Sequence, residues 1–206
     1  MKLYYLQGAC SLAVHIVLEW CAQPYEAISV SGQALKEPDF LALNPLGSAP
    51  VFIDSNIQLT QSSAILQYLA EKHPESQLLG TTLVEKAETR RWLGLINADI
   101  HPLYSIIFGV KHYINDENCH TGLKHSATER IKKMYVVIDK QLQGNTYLTG
   151  NRSIADAFLF VTLLWAPVAK IDIASLPALQ QFFESMKQDA GVIAALQAEG
   201  LADRLK

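Results

Sequence analysis

The stretch Lys2–Leu12 reads KLYYLQGACSL. Its opening, Lys2–Leu6, is rich in β-forming residues and stops at Gln7-Gly8, a turn signal. Ser11–Cys21 then places Leu12, His15–Ile16 and Glu19–Trp20 at helical intervals. A strand therefore turns into a helix, with Cys10 at the junction. Outward from there, Tyr25–Val30 reads as a second strand after Pro24. Lys36–Leu43 is a short polar helix or turn, ended by Asn44-Pro45 and Gly47. Pro50–Ile53 and Ile57–Thr60 are short strands, joined through Asp54-Ser55-Asn56, which has hairpin chemistry. Ser62–Lys72 is a helix, stopped by Pro74. The predicted order is β-α-β-α-β-β-α.

Beyond Pro74 strand patterns vanish. Long stretches with a 3.6-residue period take over at Leu83–Tyr113, Ser126–Leu142, Ser153–Trp165, Leu176–Met186 and Gly191–Leu196. The chain of 206 residues thus divides into an α/β part at 1–76, a linker at 77–82 and an all-α part at 83–206. Half of the residues are hydrophobic and 18% are charged, which excludes a disordered or collagen-like chain. The net charge is −3, and neither part forms a basic block, so no attraction to nucleic acid or anionic membrane is implied. The longest apolar run, Ala157–Ala169, is too short to span a bilayer, and Gln7, His15 and Glu19 break any signal-peptide core. A cytoplasmic protein is expected.

Three cysteines without CxxC spacing argue against a disulfide framework or a four-cysteine zinc site. Cys10 and Cys21 stand about 16 Å apart along one helix, so they cannot pair while both remain in it. A thiol at a helix N-terminus meets unpaired N–H groups and the positive end of the dipole, which favours thiolate. The alternative is that Cys10 is a small buried hydrophobe. Asn44-Pro-Leu-Gly-Ser-Ala-Pro-Val51 is a loop bracketed by prolines. A cis bond at Pro50 would leave the backbone of Ala49 free for a peptide-like ligand, whereas a trans bond would make it an ordinary strand start. In Gln61-Ser62-Ser63-Ala-Ile-Leu66, Ser62 is placed to cap the following helix, whose first N–H groups could also receive a carboxylate. His112, Cys119, His120 and His125 lack ligand-pair spacing, so no metal site is expected. Ser153–Asp156 is a capping pair that starts a buried helix.

As an ordered set, the first strand, the Cys-Ser pair at the next helix, the NPxGxxP loop before a strand and the SxAIL helix start resemble the cytosolic glutathione transferases. Gly8-Ala9-Cys10-Ser11-Leu12 looks most like the bacterial beta class, and Ser153-Ile-Ala-Asp156 matches the family's helix-starting pattern. The resemblance implies a thioredoxin-like first domain and an all-helical second one. It places Cys10 beside the glutathione sulfur, and pairs Ala49, before a cis-Pro50, with the cysteinyl part through its backbone. Ser62 would hold the γ-glutamyl carboxylate. Gln61 stands where many relatives have Glu, which removes a charge for the γ-glutamyl amine. Lys36 and Gln33 are candidates for the glycine carboxylate. His101 aligns with a histidine near the sulfur. Because Pro102 follows it, a kink is expected there, with residue 101 pushed away from helical geometry. Tyr104 and Phe108 would line an apolar pocket.

The resemblance implies conjugation of the glutathione thiolate to small hydrophobic electrophiles, with glutathione as co-substrate, no cofactor, and a homodimer. Two other functions fit the same residues. One is thiol–disulfide exchange through a mixed disulfide on Cys10. The other is a non-catalytic binding or regulatory module of the same fold.

Overall fold

The protein is described by a computed structural model covering residues 1–205. Its first part holds β1 (Lys2–Tyr5), α1 (Ser11–Cys21), β2 (Glu26–Ser29), α2 (Pro38–Leu43), β3 (Val51–Asp54), β4 (Ile57–Thr60) and α3 (Ser62–Lys72). The strands form one mixed sheet in the order β2-β1-β3-β4. β1 runs parallel to β2, as a strand–helix–strand unit requires, and antiparallel to β3; β3 and β4 form the hairpin. The register sets Leu3 opposite Phe52. Both point to the face covered by α1 and α3, while Tyr4, Val51 and Ile53 point to the other face, under Leu35 and Phe40. Strand alternation thus assigns one helix layer to each face.

The second part holds α4 (Leu83–Gly94), α5 (His101–Gly109), α6 (His120–Leu142), α7 (Ile154–Trp165), α8 (Pro177–Lys187) and α9 (Ala190–Ala198). Helix α6 starts at His120, not Ser126, because its first two turns carry no apolar period. The residues between the two parts are packed: Leu78 and Leu79 are buried, and the Ile154 N–H donates to the Leu78 carbonyl at 2.9 Å. Helix α1 is buried on every side but Glu19, lying against α3, α7 and α9. Every residue of α7 from Ile154 to Leu164 is buried. One apolar core therefore runs through both parts.

Helices α4 and α5 join through a π-helical turn, Leu95–Ile100. Leu83–His112 is consequently one continuous helix, long and apolar enough by length and composition to cross a membrane. It coincides with the periodic stretch Leu83–Tyr113 expected from the sequence. Here its apolar face is occupied, since Trp92, Leu93, Ile96, Ile100, Leu103, Tyr104 and Ile107 are all buried in the shared core.

Candidate active site

Cys10 precedes α1 with helical dihedrals (φ −60°, ψ −20°) and is half-buried. Its Sγ donates to the Ala49 carbonyl at 3.7 Å. Burial pushes the thiol up, and this outweighs the Ser62 hydroxyl and the Cys10 and Ser11 N–H groups, which pull it down. Of the two sequence expectations for Cys10, burial rather than the helix dipole sets the direction of the shift. Desolvation of Cys10 outweighs the helix terminus and favours the thiol over the thiolate in the free protein. The preceding turn is fixed at Gly8, which has φ +67°. The Gly8 N–H donates to Glu199 Oε2 at 2.8 Å, and Trp165 Nε1 donates to its carbonyl at 2.8 Å.

Ala49–Pro50 is a cis peptide. The loop before it is braced by Asn44, whose Nδ2 donates to the Ser48 carbonyl at 2.6 Å and whose Oδ1 accepts the Leu46 N–H at 3.1 Å. Gly47 is required there: with φ +58°, an added Cβ would also lie 3.0 Å from the Leu35 carbonyl. Ser62 does not cap its helix. It is the first residue of α3, buried, and its hydroxyl donates to the Cys10 carbonyl at 3.3 Å. The cap position falls to Gln61, exposed and in an unusual backbone conformation (φ 71°, ψ 111°), whose side chain gives no capping bond. The Ala64 and Ile65 N–H groups bond the Gln61 carbonyl, which leaves those of Ser62 and Ser63 at the start of α3 available to an anion.

The opposite wall comes from α5. Pro102 was expected to displace residue 101, yet His101 is helical (φ −57°, ψ −44°). The proline's missing bond is absorbed upstream, where the π turn shifts the ladder and the His101 N–H bonds the Ile96 carbonyl five residues back. His101 faces the cleft, its ring 5.5 Å from those of Phe158 and Trp165. Burial lowers its pKa, so the imidazole is neutral at neutral pH.

Two cavities meet at these residues. One, of about 270 Å³, is lined by Cys10, Ser48, Ala49, Pro50, Gln61, Ser62, Asn97, His101 and Ser105. The other, of about 540 Å³, is walled by the Gln7–Cys10 turn, His101, Tyr104, Ser105, Phe108, Trp165 and Val168. Cys10, His101 and Ser105 belong to both. Phe108 is half exposed to the second cavity; Tyr104 is fully buried behind it, the two rings stacked at 5.7 Å.

The cleft thus brings together Cys10, Ala49, Pro50, Gln61, Ser62, His101, Tyr104 and Phe108. Lys36 lines neither cavity; it lies exposed on a 3₁₀ turn, Ala34–Lys36, next to exposed Gln33. Asn97, Ser105 and Trp165 were missed. Asn97, Ser105 and Phe108 stand at −4, +4 and +7 from His101, a helical face that placing His101 in the cleft would have revealed. Trp165 had no such local signal. Among the described residues, no three His, Cys, Asp or Glu side chains gather as metal ligands.

The chain matches the family model of the glutathione S-transferase N-terminal domain at residues 1–71 and that of the C-terminal domain at residues 106–189. It is 43% identical over 203 residues to a glutathione S-transferase of Xanthomonas campestris pv. campestris, covering 98% of this chain and all of that one. Among solved structures, a glutathione S-transferase from Xylella fastidiosa superposes with a TM-score of 0.93 at 41% identity, covering 97% of this chain and 98% of that one. A sphingomonad glutathione S-transferase complexed with glutathione superposes with a TM-score of 0.87 at 34% identity, covering 98% of this chain and all of that one. A thioredoxin-like sheet carrying the cis-proline loop, a helical second domain that closes the cleft, and these full-length likenesses agree: the chain belongs to the glutathione S-transferase family and is an enzyme of that family.

Proposed function

We propose that the protein conjugates the thiolate of glutathione to small hydrophobic electrophiles in a detoxifying reaction, with Cys10 beside the glutathione sulfur. The observation that carries this reading is the pair of cavities sharing Cys10, His101 and Ser105. A polar subsite and an apolar one meet where a nucleophile and an electrophile would have to meet. In the polar subsite the tripeptide pairs with the Ala49 backbone. The first turn of α3, with Ser62, takes the γ-glutamyl carboxylate, and the Gln61 amide faces the γ-glutamyl amine. Lys36, outside the cavity, reaches the glycine carboxylate only if the turn carrying it folds inward on binding.

The chemical task is to keep sulfur ionised. A thiol with a pKa of about 8.5 is roughly 3% thiolate at pH 7, and one lowered to about 6.5 is mostly thiolate. A protonated Cys10 serves this end as a hydrogen-bond donor to the sulfur, and neutral His101 offers a second donor from across the cleft. Proximity in the joined cavities supplies the rest. The same reading includes a cytoplasmic homodimer. It is supported by free Cys10, Cys21 and Cys119 and by Leu83 and Val84, an exposed apolar pair on α4 that a partner subunit would cover.

The test combines glutathione titration with conjugation assays on a panel of aryl and alkyl halides, for the wild type and Cys10→Ala. Conjugation by the wild type, falling about 10- to 100-fold in the variant through loss of one hydrogen bond to a charged sulfur, supports the proposal. Conjugation undiminished in Cys10→Ala removes Cys10 from the transfer step. A glutathione adduct on Cys10, reversed by reductant and accompanied by disulfide reductase activity without conjugation, makes the protein an oxidoreductase. No binding at millimolar glutathione leaves a non-catalytic module.

A further inference from the structure

Behind the apolar cavity lies a chain of three buried hydroxyls. Tyr104 Oη is 2.9 Å from Tyr135 Oη on α6, which is 3.1 Å from Thr162 Oγ1 on α7. Thr162 Oγ1 in turn is 2.8 Å from the Leu159 carbonyl. All three residues are fully buried. The direction of the chain follows from counting protons. A carbonyl only accepts, so the Thr162 hydroxyl donates to Leu159. Thr162 can then only accept from Tyr135, whose single proton is thereby used. The Tyr104 hydroxyl must donate to Tyr135. Its proton points into the helical core and away from the cleft, so Tyr104 offers neither substrate a hydrogen bond. Burial raises the pKa of both tyrosines, which keeps both protons in place.

The ring of Tyr104 is thereby anchored. It stacks on Phe108 at 5.7 Å and meets Trp165 edge-on at 5.3 Å, and Trp165 holds the Gly8 carbonyl of the turn before Cys10. Tyr135 itself lines neither cavity. We propose that Tyr135 is a positioning residue for the hydrophobic substrate: by accepting the hydrogen bond of Tyr104 it fixes the aromatic wall of Tyr104, Phe108 and Trp165. The proposal rests on reading that cavity as the electrophile site. In Tyr135→Phe the Tyr104 proton loses its only acceptor. A buried unpaired donor is costly, and the nearest relief is a swing of Tyr104 toward the wet cavity, which displaces Phe108 from its stack.

A double-variant cycle tests this, using an anionic naphthalene dye as a probe of the cavity and an aryl chloride as electrophile. In Tyr135→Phe the dye Kd and the electrophile KM rise together about 5- to 10-fold, while the KM for glutathione stays within twofold. In the Tyr104→Phe background, where position 104 has no hydroxyl proton to place, adding Tyr135→Phe changes neither value by more than twofold. Equal effects of Tyr135→Phe in both backgrounds overturn the proposal. So does a fall in melting temperature with dye binding unmoved, because that is the signature of a purely structural tyrosine. Dye binding reads the wall whether or not the wild type conjugates, so absence of conjugation would count against the function alone.

Discussion

Asp156→Ala probes the joint that holds α7 to the turn before it. Asp156 is fully buried; its Oδ1 accepts the Leu148 N–H at 2.9 Å, and its Oδ2 accepts the Ser153 N–H at 2.8 Å and the Ser153 hydroxyl at 2.6 Å. Alanine strands three donors that are buried with their residues, at about 2 kcal/mol each. Against this stands the cost of the charge. Burial pushes the carboxyl from 3.8 up to about 6, beyond what the three bonds recover, so ionising it in the folded protein costs about 3 kcal/mol. The variant escapes that cost at pH 7, leaving a net loss of about 3 kcal/mol. The pH dependence carries the sign. A carboxyl whose pKa is higher folded than unfolded stabilises most below the unfolded value, and that contribution fades as pH rises through about 6. Acidification from pH 7 to pH 5 restores this contribution in the wild type and not in the alanine variant, so the gap between them widens by about 1 kcal/mol. Urea unfolding followed by circular dichroism at the two pH values measures both quantities. A variant within 0.5 kcal/mol of wild type at pH 7, or a gap that narrows at pH 5, would refute the reasoning.

Two further predictions are direct. Alkylation of Cys10 by iodoacetamide, followed peptide by peptide to separate it from exposed Cys119, should rise with an inflection above the ordinary thiol range; an inflection below pH 8 would restore the thiolate that the helix N-terminus alone suggests. Gly191→Ala should destabilise the protein by about 2 kcal/mol, lowering the melting temperature by about 4–8 °C. Its new Cβ would lie 2.5 Å from Trp20 Cδ1, in a ring held by Asp189 and covered by Arg152, and an unchanged melting temperature would show that the ring yields freely.

What was legible in the sequence is what neighbours along the chain decide. The hairpin at Ser55-Asn56, the bounds of Ser62–Lys72 and the Ser153–Asp156 pair rest on local turn, period and capping chemistry, and the structure has them at those residues. The loop Asn44–Val51 was readable as a peptide-facing turn because two prolines and a glycine leave few other conformations. The misreadings concern forces from residues far apart in sequence. Ser62 has good capping chemistry, but the Cys10 carbonyl, fifty-two residues away, is the partner its hydroxyl finds. The Cys10 thiol obeys the burial imposed around it rather than the dipole of its own helix. Pro102 announced a disturbance, and the repair is a π turn that begins seven residues earlier, directly after Gly94.

That repair bears on how the site is built. A π turn inserts one residue into the helical ladder, so everything after Ile100 is rotated relative to α4 by about a quarter turn or more. The rotation lets one helix bury Trp92, Leu93 and Ile96 in the core and still turn His101, Ser105 and Phe108 toward the cleft. Without the extra residue, the two faces would have to share one azimuth, and the core requirement would decide it. The proline that looked like an obstacle to His101 therefore accompanies the feature that aims it. Removing the proline alone should not redirect His101, because the core contacts of Ile96 and Ile100 hold the π turn from the other side.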